Sequence, residues 1–237
     1  MVREVLSWGK LTAEAVAVVA SILLAFGIDA AWDARQEGAA ERAAIEALRV
    51  EMISNRERLA RTIRYNEEAS ASVAAFLRLS PQQILSMPAD SFPPSSVHVR
   101  LWAPFTFDPD LGATAAFIGR RESSTAPVQA LRRAVVNWDR RFVDAGEESA
   151  VLWGASRSVL ELLTPYIADL VPDSRGSPGL NLIRQDYRPR LARIRADPKV
   201  IAEVLAKFNL QGIYANELRG LLEATDEILG TLDDMSR

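Results

Sequence analysis

The sequence contains no cysteine and a single histidine, His98. Zinc fingers, iron–sulfur clusters, thiol catalysis and disulfides are thereby excluded. One imidazole leaves no basis for a His-ligated metal cluster and makes a Ser–His triad improbable. Lysine is scarce as well, three residues against 25 arginines, a bias expected of a GC-rich bacterial genome. The net charge of -3 and a pI of about 5.4 carry no basic surplus, so a nucleic-acid partner is not expected. The phosphate-binding, dinucleotide-binding and nucleophile-elbow signatures are missing, as is the zinc-protease helix. Acid pairs such as Asp108/Asp110, Glu147/Glu148 and Asp233/Asp234 occur at helix ends, where caps and solvated surface are the ordinary reading. The expectation is a chain with no metal, no cofactor and no catalytic activity.

Proline is missing over a long stretch. None lies between Leu11 and Ser80, and Gly27 and Gly38 are the only glycines there. Helix can therefore run without interruption. The 237 residues are 49% apolar and 25% charged, a globular rather than a disordered composition. The apolar residues are concentrated near one end. Ala15–Ile28 is apolar apart from Ser21 and Gly27. At about 1.5 Å per residue the segment Leu11–Trp32 rises about 33 Å, enough to cross a hydrocarbon layer of about 30 Å.

Trp8 and Trp32 bracket this segment as interfacial anchors, and Glu14 and Asp29 lie near its two ends. The reading adopted is a single transmembrane helix over residues 11–32. The alternatives are a cleaved signal peptide, with Ala25-Phe26-Gly27 as the cleavage site, and a buried soluble helix. Arg3 and Lys10 precede the span, so residues 1–10 are expected to be a short cytoplasmic tail, with the bulk of the chain beyond a bacterial inner membrane.

Within the span Ala13, Ala17, Ser21 and Ala25 recur every four residues, and Asp29 continues the series. That spacing lays small side chains along one helix face, where another backbone can approach closely. Helix packing between copies is the functional reading, and the abundance of alanine the plain one. Glu14 and Asp29 fall about 60° apart around the helix. As intramembrane acids they are candidates for ion or proton coupling, and as interfacial acids they need no function.

Beyond the span a stalk helix is expected over residues 33–79. Ile45, Leu48, Met52, Asn55, Leu59, Thr62, Asn66, Ala69, Val73 and Phe76 follow one another by alternating steps of three and four, a heptad seam. It either pairs copies as a coiled coil or packs against later helices of the same chain, and its polar members favour the second. Residues 80–107 read as a proline-rich loop and an extended arm. Residues 108–237 read as helices that the stalk completes into an antiparallel bundle. The first of these should be capped by Asp108, with Pro109 in its first turn. The next begins near Pro127 with a stripe of Leu131, Val135, Trp138 and Phe142, and another spans about 147–170. A break follows at Pro172–Gly179, then a short helix near 180–194 and a last long helix capped by Asp197. Trp102, Phe105, Phe107, Trp138 and Trp153 are either plain core or the lining of a ligand pocket. The fold class expected is all-α.

Several of these segments together resemble an uncharacterised bacterial family of single-pass membrane proteins, a domain of unknown function. The residues that carry the likeness are Phe26-Gly27-Ile28-Asp29-Ala30-Ala31-Trp32-Asp33 at the end of the span, with Glu14 near its start. The charged helix from Glu41 to Met52, Thr106–Phe117, Ala130–Trp138 and the last helix also fit. Where the family carries a Ser-Gly turn between its central helices, this chain has Ile118-Gly119-Arg120-Arg121-Glu122-Ser123. The resemblance implies a helical inner-membrane protein and supplies no catalytic residue. Three functions follow in order of expectation. The first is a membrane-anchored interaction or scaffold protein, self-associating through the span with the lipid bilayer and a homo-oligomer as partners, and another membrane protein as a further one. The second is an extracytoplasmic sensor whose ligand-binding helical bundle signals through a membrane partner. The third is an enzyme.

Overall fold

The computed structural model describes residues 8–88, 98–120, 125–167 and 186–236, with side chains outside the description at residues 8–15, 98, 99 and 167. The fold is all-α. Seven helices and no strand occur among the described residues: α1 (Trp8–Arg78), α2 (Pro81–Ser86), α3 (His98–Trp102), α4 (Gly112–Gly119), α5 (Ala126–Ile167), α6 (Arg188–Ala196) and α7 (Pro198–Met235). The chain divides into two compact units, Met1–Leu48 and Arg49–Arg237.

The first unit holds the apolar half of α1. Its side chains from Val16 to Trp32 are exposed: Val16, Leu23, Leu24, Phe26 and Ile28 are each more than 60% exposed, and Trp32 is 60% exposed. An 18-residue window of α1 has a mean hydropathy of 1.8 with none of it buried. This is one helix long and apolar enough to cross a membrane. A soluble core helix would show the opposite, an apolar face covered by its own protein.

In the second unit, three long helices present seams with the same spacing. On α1 the buried residues are Met52, Asn55, Leu59, Asn66, Ala69, Val73 and Phe76. On α5 they are Leu131, Val135, Trp138, Ala145, Leu152, Ser156, Val159 and Leu163. On α7 they run Val200, Val204, Lys207, Gln211, Tyr214, Leu218, Leu221, Thr225, Ile228 and Leu232. The α7 series advances by threes and fours, and the α1 and α5 series by threes, fours and sevens, which keeps one face inward over many turns. Ion pairs Arg49–Asp233 and Arg56–Asp226 fix α1 and α7 antiparallel. The bond from Trp138 Nε1 to Thr225 Oγ1, 2.8 Å, and that from Arg141 to the Gly220 carbonyl, 3.1 Å, fix α5 antiparallel to α7. The stalk seam is thus filled by later helices of its own chain.

Four sequence expectations change. Residues 80–107 are not all loop and extended arm. Ser80 caps α2 with Gln83 returning the bond to its backbone, a capping box that the prolines obscured. Residues 98–102 are a helical turn rather than an extended strand, because that turn sends Leu101 into the core and Arg100 toward Glu68 and Ser72. The two helices expected at 127–142 and 147–170 are one, α5, since its seam continues unbroken through Ala145 and exposed Gly146 interrupts no packing. The helix expected from Asp108 begins at Gly112 instead.

α6 carries Pro189 in its first turn, where a missing N–H costs nothing. Asp197 caps α7 as expected, accepting from Lys199 N and Val200 N. A second core cluster gathers Phe76, Ile84, Leu101, Leu163, Tyr187 and Leu191. The break at Pro172–Gly179 and the start of the helix expected near residue 180 lie outside the described residues.

Candidate functional site

The most chemically specific region of the molecule is the strap that follows α3. Residues 103–111 form no regular structure, so their backbone groups need other partners. Polar side chains on the seams of α1 and α7 provide them. Glu51 is 7% exposed and accepts from Ala113 N at 2.6 Å, Thr114 N at 2.8 Å and the Thr114 hydroxyl at 2.6 Å. One turn on, Asn55 grips Asp110 twice, donating to its carbonyl at 2.7 Å and accepting from its N–H at 3.0 Å. Arg58 donates to the Asp108 carbonyl. Farther along α1, Asn66 donates to the Phe105 carbonyl at 2.8 Å and to Thr62 O at 2.9 Å. From α7, the Tyr214 hydroxyl accepts from Phe107 N at 2.8 Å.

This arrangement explains where α4 starts. Asn55 and Arg58 hold the backbone of 108–110 outside the helix, so Asp108 is never an N-cap. The carboxylate that serves the exposed N–H groups of α4 comes from Glu51 on another helix, where negative charge is favoured. Asn55 and Asn66, which the sequence marks as polar seam residues, are hydrogen-bonded clamps rather than register marks between copies.

Beneath the strap lies a buried polar layer. Lys207 is 1% exposed. Its ammonium donates to the Arg100 carbonyl at 3.2 Å and to Gln211 Oε1 at 2.6 Å. Gln211 Nε2 in turn donates to Asn66 Oδ1 at 3.1 Å and Asn66 O at 3.2 Å. Lys207 forms no ion pair among the described residues. Burial therefore pushes its pKa down, to about 8. Burial likewise raises the Tyr214 phenol, against bonds from Phe107 N and with Ser149 that act the other way. At the far end of the bundle the Tyr166 hydroxyl donates to Asp197 at 2.7 Å and holds that carboxyl below its ordinary value. None of Lys207, Gln211, Tyr214 or Glu51 was singled out from sequence. The signal existed for the first three, which occupy the three-four series of α7 between Val204 and Leu218. Glu51 carried none, since it adjoins the α1 seam as an ordinary helix-surface acid would.

The aromatic residues considered for a pocket have different surroundings among the described residues. Trp138 is fully buried and stacks on Phe142 at 5.9 Å, which meets Phe107 edge-on at 6.3 Å. Phe105 stacks on Tyr65 at 5.7 Å, Trp102 packs on the second core cluster, and Trp153 is 47% exposed. An open groove does lie between α1 and α7, about 420 Å³, lined by Glu67, Phe208, Asn209, Ile213 and Asn216 among others. The Glu67–Arg219 ion pair of 2.6 Å neutralises charge at its wall. Of the paired arginines, Arg132 caps the end of α4 through the Ile118 and Arg120 carbonyls and Arg141 bonds Gly220 O, while Arg133 and Arg140 are exposed.

In the span, Ala17, Ala25 and Asp29 are exposed, and the Ser21 hydroxyl donates back to Ala17 O at 2.7 Å. Trp32 is 60% exposed. The side chains of Trp8, Ala13, Glu14 and His98 lie outside the described residues. No group of three or more acids able to hold a metal occurs among the described residues. Comparison with protein-family models, curated proteins and solved structures finds no match to this chain.

Proposed function

We propose that this chain is a membrane-anchored helical interaction protein. Its span binds the lipid bilayer and associates with other copies, and its helical bundle presents surfaces to a partner. The observation that carries this reading is the apolar stretch from Val16 to Trp32, whose large side chains lie exposed among the described residues. Leaving so many large apolar groups in water is costly, at roughly 25 cal/mol per Å², and a bilayer removes the cost. The resemblance to the bacterial single-pass family supports the same placement, in the inner membrane with residues 1–10 cytoplasmic and the bundle periplasmic.

The test is extraction of the full chain from membranes. The protein should stay with vesicles in alkaline carbonate and leave them only in detergent. Release by carbonate, or a mature protein trimmed after Gly27, removes the proposal. A second reading is an extracytoplasmic ligand-binding bundle that signals through a membrane partner. The α1–α7 groove favours it, and Gly212→Leu is the discriminating variant, because Gly212 lines the groove and a Cβ added there meets nothing within 4 Å. A sensor would lose its response on that filling, and a scaffold would keep its partners.

A further inference from the structure

The strap and the polar layer beneath it form one connected unit. Lys207 ties α7 to the Arg100 carbonyl at the end of α3, and Gln211 and Asn66 carry the chain of bonds on to the Phe105 carbonyl. The pairs Trp138–Thr225, Arg141–Gly220 and Ser149–Tyr214 set the register of α5 against α7.

We infer that this layer is a proton-responsive latch: the protonation state of Lys207 governs how tightly residues 100–107 are held against α1 and α7.

The reason is the absence of a counter-charge. An ammonium buried beside two neutral acceptors keeps little of the solvation that water gives it. The charged groups on the packed elements are engaged elsewhere. On α1, Glu68 faces Arg100 of α3 and Glu67 is paired with Arg219. Arg100 also bonds Ser72. On α7, Glu203 lies one turn away and shows no ion pair with Lys207, and on α5 Arg157 is exposed. Lifting the strap hydrates Lys207 and restores its ordinary affinity for a proton, so opening takes up a proton. Loss of the proton in the closed state removes the uncompensated charge.

The direction follows from linkage. The closed form holds its proton up to about pH 8 and the open form up to about 10.5. Below pH 8 both forms are protonated and opening is at its easiest. Between these values the open form binds more protons, and the latch tightens as pH rises.

The experiment is amide hydrogen exchange on the full chain in detergent or nanodiscs, following Phe107 N–H and its strap neighbours. Rates in the natural protein are divided by those in Lys207→Met and Lys207→Gln at each pH, which cancels intrinsic exchange. The ratio should fall roughly thirtyfold between about pH 7 and 9.5, with the strap amides exchanging faster than those in the centre of α5 at every pH. A strap ratio independent of pH overturns the proposal, because Lys207 would then be a neutral tether. If both variants fail to fold, the Lys207 Cε resonance in the natural protein decides. A titration midpoint near 8 supports the latch, and one at 10 or above overturns it.

Discussion

Glu51 does at a distance what an N-cap residue does locally. Three donors of the α4 start, two backbone and one hydroxyl, converge on its carboxylate. Replacing it by alanine leaves those donors buried without an acceptor. Glu51→Ala should cost about 2–4 kcal/mol, read as a lower urea midpoint with an unchanged slope. Glu51→Gln should recover part of that loss, since the amide oxygen still accepts. A change under 0.5 kcal/mol for the alanine variant would mean that water replaces the carboxylate there. Lys207 is the opposite case at the same scale. Its burial weakens the fold while it is charged, roughly 3 kcal/mol for a pKa brought from 10.5 to about 8. Global stability should therefore rise from pH 8 toward 10. Above pH 10 the trend should reverse, because Tyr214, whose pKa is raised in the folded protein, then favours the unfolded chain that ionises more readily.

Among the elements, α5 and α7 differ in how they use glycine. Gly146 is exposed in the middle of α5, and an added Cβ meets nothing within 4 Å. Gly146→Ala should stabilise the protein by about 0.5–1 kcal/mol, seen as a Tm a few degrees higher. Gly220 on α7 is where Arg141 reaches across, its Nη1 only 3.0 Å from an added Cβ and 3.1 Å from the carbonyl it bonds. Gly220→Ala should gain nothing, because the guanidinium must move off that carbonyl. Much of this level was legible in the sequence. The absence of proline announced α1, the stripe from Leu131 to Trp138 announced the inward face of α5, and Asp197-Pro198 announced the start of α7. Helix starts were misread where tertiary contacts override local signals. Asp108-Pro109 has the composition of a cap, but Asn55 and Arg58 bind its backbone from another helix. The buried layer was hidden for a different reason. Lysine, glutamine and tyrosine at seam positions look like interruptions when one sequence is scanned for apolar spacing, and only the facing Asn66 and the strap carbonyls turn them into a network.

For the whole molecule, the exposed apolar length of α1 is the feature the proposed function rests on. A bilayer would cover all sides of that helix equally. A second copy would cover only one face, and on the proposed reading the small residues Ala17, Ser21 and Ala25 mark it. The Ser21 hydroxyl is already spent on Ala17 O within its own helix, so it offers no strong donor to a neighbour. Association along this face would then rest on close backbone approach and van der Waals contact, which larger side chains abolish. The double variant Ala17→Leu and Ser21→Leu should lower self-association in a membrane two-hybrid assay at least fivefold. The matched pair Val18→Leu and Ile22→Leu, on another face, should leave it within twofold. Equal loss in both pairs would mean that the assay follows insertion rather than packing. No loss in either would confine any pairing of copies to the water-soluble helices, and the stripe of small residues would be only the alanine-rich composition of this chain.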